Sequence, residues 1–425
     1  MPGTLDDTSP GAVPAGGPAL LVTVTGADRP GVTSALFTEL AGTDAQVLDV
    51  EQVVVGGVLT LAVLVGTAEP AGVASALAGW GEPHGLEVTC TVREPAAPAA
   101  RPRRLHVTLL GAPLRPAAIA RTTAVLAERG ANVDRVRRMS STPVTSVEFD
   151  VSVDATAEEV LDLRRALAAE AGRHGLDAAV SPGGLARMGR RLVVMDVDST
   201  LIRQEVIELL AAHAGREAEV AAVTERAMRG EIDFAASLLQ RVACLEGLDT
   251  SVVERVREAV VLTPGARTLC RTLHRLGFTL ALVSGGFLEV VGPLAAELGI
   301  AHVRANRLQV VHGRFTGRLL GPVVDRAAKA AALREFAAAE GVPLHRTVAI
   351  GDGANDLDMI GAAGLGIAFN AKPVVREQAD AALNVPYLDA VLPLLGITRE
   401  DVEDADLADE ALARTPSTGA APAGR

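Results

Sequence analysis

The sequence predicts an α/β protein in which a Rossmann-like parallel sheet with a helical cap insertion follows two ferredoxin-like α+β domains. Three observations support this prediction. The chain has 425 residues, more than a single core usually holds. The order β-α-β-β-α-β, that of a split βαβ unit, occurs twice before residue 183. From Arg191 onward, apolar strands alternate with long helices, which indicates a parallel sheet covered on both faces.

The first predicted domain spans residues 18–95 and begins with an apolar strand at residues 20–26. The turn Ala27-Asp28-Arg29-Pro30-Gly31 follows and leads into a helix. Two strands, a second helix and a closing strand are expected at residues 47–54, 58–65, 73–78 and 86–92. Residues 94–103, rich in Ala and Pro, are predicted to be a linker.

The second predicted domain spans residues 102–183 and repeats this order of elements. They are expected at residues 105–110, 116–129, 133–139, 147–153, 157–171 and 178–180. Two copies of about 80 residues with the same order indicate tandem modules.

The third predicted domain spans residues 190–398. Its strands are expected near residues 192–196, 279–283, 301–303, 347–351 and 365–368. A largely helical stretch between the first two, residues 204–262, is too long for an ordinary crossover and is interpreted as an inserted cap. Residues 399–425 are acidic and then rich in Pro, Ala and Gly, which favours a disordered tail.

Composition narrows the class of function. Apolar residues make up 49% of the chain and charged residues 22%, as in a soluble globular protein. A net charge of −12 argues against nucleic acid as a partner, because its phosphates would be repelled. The sequence has no run of about 18 apolar residues, so no membrane partner is expected. The first seventeen residues lack the pattern of a secretory signal and the three cysteines lack a pairing or metal spacing, so we expect a cytoplasmic protein.

The strongest chemical signal is Asp196-Val197-Asp198-Ser199-Thr200, directly after an apolar strand. Polar side chains at the carboxyl ends of parallel strands lie where α/β folds bind ligands. If the two carboxylates lie close together, they cannot comfortably both ionise without a cation, which implies a metal or a shared proton. Taken alone, the segment could also be a solvated loop, because Asp, Ser and Thr favour loops.

Three weaker motifs follow. Gly351-Asp352-Gly353-Ala354-Asn355-Asp356 comes after a strand and offers oxygen ligands for a hard cation. Ser284-Gly285-Gly286, also after a strand, offers a hydroxyl and backbone N–H groups to an anion. Lys329 opens an alanine-rich helix and is, with Lys372, one of only two lysines among 40 basic residues. A lysine with alanine neighbours could simply be solvated. If the neighbouring motifs bind a phosphate, however, Lys329 would be a compact charge for the phosphoryl oxygens, and we favour this interpretation.

The four motifs, in this order, resemble the haloacid dehalogenase superfamily of aspartyl-phosphate phosphatases over about residues 190–396. The resemblance implies that Asp196 is the nucleophile and Asp198 the general acid and base. It also implies that Ser284, the Gly285 amide and Lys329 bind the phosphoryl oxygens.

The same resemblance implies Mg²⁺ as the cofactor. Its ligands would be Asp196, the backbone carbonyl of Asp198 and Asp352, with Asp356 behind them, supporting the ligands without touching the metal. Asn355 would touch the phosphoryl group or the surroundings of the metal.

Substrate choice depends on the predicted cap. A small amino acid needs an acid for its ammonium group and an arginine for its carboxylate, and Glu205 and Arg241 could be that pair, closed over by Met228 and Phe234. From the residues alone, exposed positions on helices are the favoured interpretation. The segments around these side chains, however, resemble the phosphoserine phosphatases of serine biosynthesis. This implies O-phospho-L-serine as substrate, with Glu205 binding its amine and Arg241 its carboxylate.

The two N-terminal modules resemble ACT domains, which bind amino acids in many metabolic enzymes. The resemblance rests on the turn from Gly26 to Gly31 and implies L-serine as a candidate effector, bound near Asp28 and Gly31. The second module has Gly111-Ala112-Pro113-Leu114-Arg115-Pro116-Ala117 instead, without the second Gly or the Asp. Ligand binding and a structural or dimerising role therefore stay equally open for it. Tandem modules of this kind resemble actinobacterial enzymes that form homodimers, which implies a homodimer here.

Two other functions remain open from the sequence. A phosphotransferase, or a phosphatase for a broader set of small phosphomonoesters, would use the same site. With phosphoserine as the phosphate donor, the amounts of free phosphate and of phosphohomoserine formed with and without added homoserine separate these functions. A non-catalytic amino-acid sensor is the second alternative. The complete set of Asp196, Asp198, Ser284, Lys329 and Asp352 argues against it.

Overall fold

The computed structural model describes residues 18–93, 102–183, 189, 191–229 and 231–414, and for Met228 and residues 410–414 it describes the backbone alone. The chain divides into two compact units, Met1–Arg101 and Pro102–Arg425. Within the described ranges, no helix is long and apolar enough to cross a membrane.

The first unit contains an antiparallel sheet and two helices. The elements are β1 Ala19–Ala27, α1 Val32–Leu40, β2 Gln46–Val55, β3 Val58–Gly66, α2 Pro70–Leu77 and β4 Leu86–Arg93. The strand order is β2-β3-β1-β4. Leu20, Val22 and Val24 alternate along β1 and are buried against α1, as expected for a strand with one face on the core. The ferredoxin-like order predicted for this module is confirmed.

The second unit begins with a repeat of this arrangement. Its elements are β5 Arg103–Gly111, α3 Pro116–Glu128, β6 Asn132–Ser140, β7 Thr145–Val153, α4 Ala157–Arg173 and β8 Asp177–Pro182. Thr156 caps the start of helix α4: its hydroxyl accepts the backbone N–H of Glu159, and the Glu159 carboxylate accepts the N–H of Thr156. This capping box explains why the helix begins there.

The rest of the second unit alternates strands with helices. The strands are β9 Leu192–Met195, β10 Thr279–Phe287, β11 His302–Val311, β12 Arg314–Leu320, β13 Thr347–Gly351, β14 Leu365–Phe369 and β15 Ala381–Leu383. The helices are α5 Val206–Ala214, α6 Glu217–Met228, α7 Phe234–Ala243, α8 Val252–Ala259, α9 Ala266–Arg275, α10 Leu288–Glu297, α11 Arg326–Ala339, α12 Leu357–Ala362, α13 Pro373–Arg376, α14 Val391–Leu394 and α15 Arg399–Arg414. Helices α5 to α8 form the predicted cap insertion.

One sheet of eleven strands runs through the second unit in the order β12-β11-β10-β9-β13-β14-β15-β8-β5-β7-β6. Along this order, neighbouring strands in the stretch β11-β10-β9-β13-β14-β15 pair in parallel. Alternate residues of β9 pack into separate cores, Val193 on one face and Val194 on the other. Ala381 of β15 pairs antiparallel with Ala179 of β8, so the second module extends the sheet of the third.

The C-terminal prediction needs correction. A disordered tail was expected over residues 399–425, but residues 399–414 form helix α15, and residues 415–425 lie outside the described part. The reason is tertiary. Val402 is buried in the core, and the acidic Asp406 lies 2.6 Å from both Arg271 and Arg275 of α9. Strands β12 and β15 were also not predicted. They pair with strands that were, β12 with β11 and β15 with β14 and β8.

Candidate active site

Three of the predicted motifs lie at one edge of the sheet because they follow neighbouring parallel strands. Strand β9, which precedes Asp196, lies between β10 and β13. Those strands lead to Ser284 and Asp352. The backbone N–H of Asp196 also donates to the Ile350 carbonyl of β13 at 2.9 Å. The carboxyl ends of the strands therefore bring together side chains that are far apart in the sequence.

Lys329 connects two buried carboxylates. Its side chain is fully buried, and Nζ lies 2.7 Å from Asp196 Oδ2 and 2.7 Å from Asp356 Oδ1. Helix α11 begins after Asp325, whose carboxylate accepts the backbone N–H of Ala328 at 2.8 Å. Burial opposes the positive charge, but Asp196 and Asp356 outweigh it and raise the pKa of Lys329 above its usual value. The lysine is therefore a fixed positive charge beside Asp196.

The carboxylates around this lysine outnumber it. Burial, and then repulsion from Asp356, raises the pKa of Asp196 well above its ordinary value, although Lys329 acts in the opposite direction. The same two causes raise the pKa of Asp352 to about 7. A single ammonium group does not compensate this charge, so the cluster favours an additional cation.

The donor set suits a divalent metal. One carboxylate oxygen from each of Asp196, Asp352 and Asp356 lies within 4.8 Å of the others. Carboxylate oxygens are the ligands of hard cations. Asp356 already uses Oδ1 for Lys329 and Oδ2 for the backbone N–H of Gly353, at 2.7 and 3.0 Å. The residues present therefore fit a metal that is bound mainly by Asp196 and Asp352.

A second group of candidate metal ligands, His106, Glu148 and Asp150, lies on β5 and β7. His106 Nδ1 is 2.8 Å from Asp150 Oδ1. Arg137 Nη2, however, lies 2.6 Å from Glu148 Oε1 and 3.9 Å from Asp150 Oδ1. Because Arg137 and His106 already contact these carboxylates, we interpret the group as an ion-pair network.

Asp198 is placed by a tight turn. Ser199, the next residue, has a φ of 55°, in the left-handed region that few residues other than Gly adopt. Asp198 Oδ1 accepts the backbone N–H of Val206 at 2.9 Å, and Oδ2 lies 3.5 Å from the Ser284 hydroxyl. Burial, and then repulsion from Glu205, raises the pKa of Asp198 to about 7. A carboxyl group with this pKa can donate and accept a proton near neutral pH.

The segment Ser284-Gly285-Gly286, where the pairing of β10 with β11 shifts register, forms a loop that can hold an anion. Ser284 Oγ is buried and accepts the backbone N–H of Gly286 at 2.8 Å, so its own proton can go to another acceptor. A Cβ at Gly285 would lie 3.0 Å from the ring of Phe234, and one at Gly286 would lie 2.8 Å from Asp198 Oδ2. Glycine at both positions therefore permits the close approach of the cap and the acid.

Helix α7 of the cap contributes an arginine. Phe234 and Arg241 lie on the same side of this helix, two turns apart. Arg241 Nε is buried and has no hydrogen-bond partner among the described residues. Burial lowers the pKa of Arg241, while the charges of Glu205 and Asp198 act in the opposite direction. The guanidinium therefore keeps unused donor capacity at Nε among the described residues.

The other predicted site residues are placed as follows. Glu205 is half-buried just before α5, and its Oε1 accepts the hydroxyl of Ser199 at 2.9 Å. Asn355 lies in the single helical turn after β13. Met228 ends α6, but its side chain lies outside the described part of the structure. Asp28 and Gly31 belong to the first compact unit, where Gly31 has a φ of 97° and precedes α1.

Three buried polar side chains to which the sequence alone assigned no role support the site. Thr200 donates to Asp352 Oδ1 at 3.3 Å, and Thr263 donates to the Thr200 carbonyl at 2.7 Å. Asn306 donates to the Gly285 carbonyl at 2.8 Å. Thr263 and Asn306 carry no local motif. The one available signal is an Asn within a strand, where Asn is uncommon.

Comparisons with known proteins agree with this geometry. Family models for haloacid dehalogenase-like hydrolases match residues 193–360, and models for ACT domains match residues 19–91 and 105–181. A phosphoserine phosphatase of Streptomyces coelicolor is 56% identical over 403 residues, which are 92% of this chain and 96% of that protein. Phosphoserine phosphatase SerB2 of Mycobacterium tuberculosis is 51% identical over 400 residues, with the same coverage.

A solved structure is also similar. The unliganded form of a probable phosphoserine phosphatase from Vibrio cholerae is 32% identical with a TM-score of 0.54, over 71% of this chain and 88% of that one. The hydrolase match contains every strand-end motif from Asp196 to Asp356, and the resemblances to both families are confirmed. The chain belongs to the phosphoserine phosphatases of the haloacid dehalogenase-like hydrolases and carries two ACT domains ahead of its hydrolase domain.

Proposed function

We propose that this enzyme hydrolyses O-phospho-L-serine to L-serine and inorganic phosphate through an aspartyl-phosphate intermediate, as the last step of serine biosynthesis. One observation carries the chemistry. Asp196 lies 2.7 Å from the buried Lys329. The carboxyl of Asp198, which has a pKa of about 7, lies 3.5 Å from the Ser284 hydroxyl. The substrate follows from the names of relatives that align over nearly the whole chain.

Two successive displacements at phosphorus describe the reaction. In the first, a carboxylate oxygen of Asp196 bonds to phosphorus as the bond to the serine oxygen breaks, and Asp198 gives its proton to that oxygen. In the second, ionised Asp198 takes a proton from water, and the resulting hydroxide attacks phosphorus. The bond to Asp196 breaks, inorganic phosphate leaves, and both carboxyl groups return to their starting states.

Positive charge and hydrogen bonds hold the phosphoryl group during both steps. Lys329, the Ser284 hydroxyl and the Gly285 N–H would bind its oxygens, with Asn355 at the same edge. Mg²⁺, held by Asp196, the backbone carbonyl of Asp198 and Asp352, would supply further positive charge for these oxygens. Asp356 would support the site from behind by orienting Lys329, to which it is bonded at 2.7 Å.

The cap would recognise the amino acid. Glu205 would bind the ammonium group and Arg241 the carboxylate, with Phe234 and Met228 closing over the substrate. The unused Arg241 Nε supports this assignment, because a buried donor without a partner destabilises the protein unless a ligand provides one.

Arg241→Ala tests this recognition. We expect the KM for phosphoserine to rise about 10- to 100-fold, because charge-assisted hydrogen bonds to the carboxylate are lost. Hydrolysis of p-nitrophenyl phosphate, which has no carboxylate, should change far less. Arg257→Ala is the matched control, since this cap arginine pairs with Glu254 at the surface. An unchanged KM for phosphoserine in Arg241→Ala would show that the carboxylate binds elsewhere.

The first ACT domain is proposed to bind L-serine as an effector near Asp28 and Gly31. Gly31 has a φ of 97°, and no atom lies within 4 Å of a Cβ built there. Apart from the chain neighbours of Gly31, the described residues therefore leave open space there, at a backbone conformation that favours Gly.

Gly31→Val tests the effector site. The branched side chain would be strained at this φ and would occupy the open space, so inhibition by L-serine should be lost. The measurement is the ratio of phosphate-release rates with and without L-serine, compared between the variant and the wild type. Equal inhibition of both would place the effector elsewhere.

We also propose a homodimer and a cytoplasmic location. Strand β2 is an edge strand, and all ten of its residues are exposed, including Val50, Val53 and Val55. An exposed apolar edge strand favours pairing with another chain. An enzyme that supplies a free amino acid for biosynthesis would act in the cytoplasm.

A further inference from the structure

We infer that Asn306 is a positioning residue that fixes the phosphate-binding loop of β10 relative to the helix that carries Lys329. The inference rests on the proposed function, because it takes Ser284, Gly285 and Lys329 as the groups that hold the phosphoryl oxygens. Asn306 itself lies on β11 and is 2% exposed.

Both ends of the Asn306 amide are used. Nδ2 donates to the Gly285 carbonyl at 2.8 Å, and Oδ1 accepts the backbone N–H of Val324 at 2.8 Å. A carbonyl can only accept and an N–H can only donate, so these partners determine the orientation of the amide. One side chain therefore bridges two backbone segments 39 residues apart in the sequence, counted from Gly285 to Val324.

The first bond fixes the phosphate-binding loop. The Gly285 carbonyl and the Gly286 N–H belong to one planar peptide group. Asn306 holds the carbonyl of this group, and the N–H donates to Ser284 Oγ at 2.8 Å. With its oxygen occupied in this way, Ser284 directs its own proton toward the site, where Asp198 Oδ2 lies 3.5 Å away. Without the Asn306 bond, the peptide group between Gly285 and Gly286 could rotate, and its hydrogen bond to Ser284 would no longer hold the serine hydroxyl in place.

The second bond fixes the start of the lysine helix. Val324 directly precedes Asp325, whose carboxylate accepts the N–H of Ala328 and whose carbonyl accepts the N–H of Lys329, at 2.8 and 2.9 Å. The position of Lys329 therefore depends on where the chain is held at Val324. Phosphoryl transfer requires Lys329 and the loop with Ser284 to be held at fixed positions relative to each other, because small errors of placement reduce the rate of transfer steeply.

Asn306→Leu removes both bonds at similar volume. The dissociation constant for inorganic phosphate, measured by calorimetry with Mg²⁺, should rise about 10-fold or more. The kcat for phosphoserine should fall about 10- to 100-fold. Asn306→Asp keeps an acceptor for Val324 but loses the donor to Gly285, so it should also weaken phosphate binding. This nearly isosteric variant serves as the test if Asn306→Leu does not fold.

Thr347→Val is the matched control. Thr347 is 1% exposed, donates to the Leu344 carbonyl at 2.8 Å and accepts the Gly364 N–H at 3.3 Å. It also bridges two segments, but at the end of β13 opposite to Asp352. Its replacement should lower the thermal unfolding midpoint while leaving phosphate affinity and kcat at wild-type values.

The outcomes are distinct. Wild-type phosphate affinity and kcat in a folded Asn306→Leu or Asn306→Asp protein would overturn the inference, as would an equal loss in Thr347→Val. A wild type that binds phosphate but does not hydrolyse phosphoserine would refute the proposed function, and the affinity ratio between wild type and Asn306→Leu would still decide the role of Asn306. A wild type that binds no phosphate with Mg²⁺ would overturn both.

Discussion

The Asp196→Asn variant should lose turnover of phosphoserine by a factor on the order of 10⁵, because an amide does not replace a carboxylate as the attacking group. The fold should persist. Burial and the neighbouring Asp356 already raise the pKa of Asp196, so a neutral side chain of the same shape relieves repulsion within the cluster. We therefore expect an unfolding midpoint no lower than that of the wild type.

Steady-state phosphate release and thermal unfolding test this result together. Asp358→Asn is a suitable control, because Asp358 follows the last motif but pairs with Arg326 at the half-exposed end of α11. It should retain turnover. Substantial turnover in Asp196→Asn would mean that another group attacks phosphorus.

Lys329→Met should reduce both stability and activity. Removing the ammonium group leaves Asp196 and Asp356 buried without their cation, and breaking a buried ion pair in this way costs about 3–5 kcal/mol. Loss of a positive charge from the phosphoryl oxygens should lower kcat by about 10²-fold or more. Because Mg²⁺ would supply part of the missing charge, it should raise the unfolding midpoint of the variant more than that of the wild type.

The chain offers a matched control for this experiment in its other lysine. Lys372 is exposed and precedes the short helix α13. Lys372→Met should behave as the wild type in stability, turnover and response to Mg²⁺. If Lys329→Met unfolded at the wild-type midpoint without metal, Lys329 would not stabilise the fold by compensating the charges of Asp196 and Asp356.

The sequence was sufficient to predict the parts of the site that follow from topology. Asp196 and Asp352 come directly after apolar strands, and Ser284 follows the apolar residues 280–283 within β10. The carboxyl ends of parallel strands meet at one edge. Lys329 was identified because lysine is rare in this chain. Its contacts with both Asp196 and Asp356, however, depend on how α11 packs against the sheet, which no local pattern shows.

Other features could not be predicted because their causes are distant in the sequence. Helix α15 was mistaken for a disordered tail, since its acidic residues are compensated by Arg271 and Arg275 more than 130 positions earlier. Asn306 has no motif and acts through backbone groups of Gly285 and Val324. The positive φ of Ser199, in the turn after β9, likewise has no signal in the local sequence.

The central claim is that Asp196 becomes phosphorylated by phosphoserine. The most direct measurement is to quench the reaction of the Mg²⁺-loaded enzyme, reduce it with borohydride and map the peptides by mass spectrometry. Borohydride converts an aspartyl phosphate to homoserine and leaves a free carboxylate unchanged. We predict homoserine at position 196, formed only when phosphoserine is present. An unreduced Asp196 during active turnover, or reduction at a different carboxylate, would contradict the account.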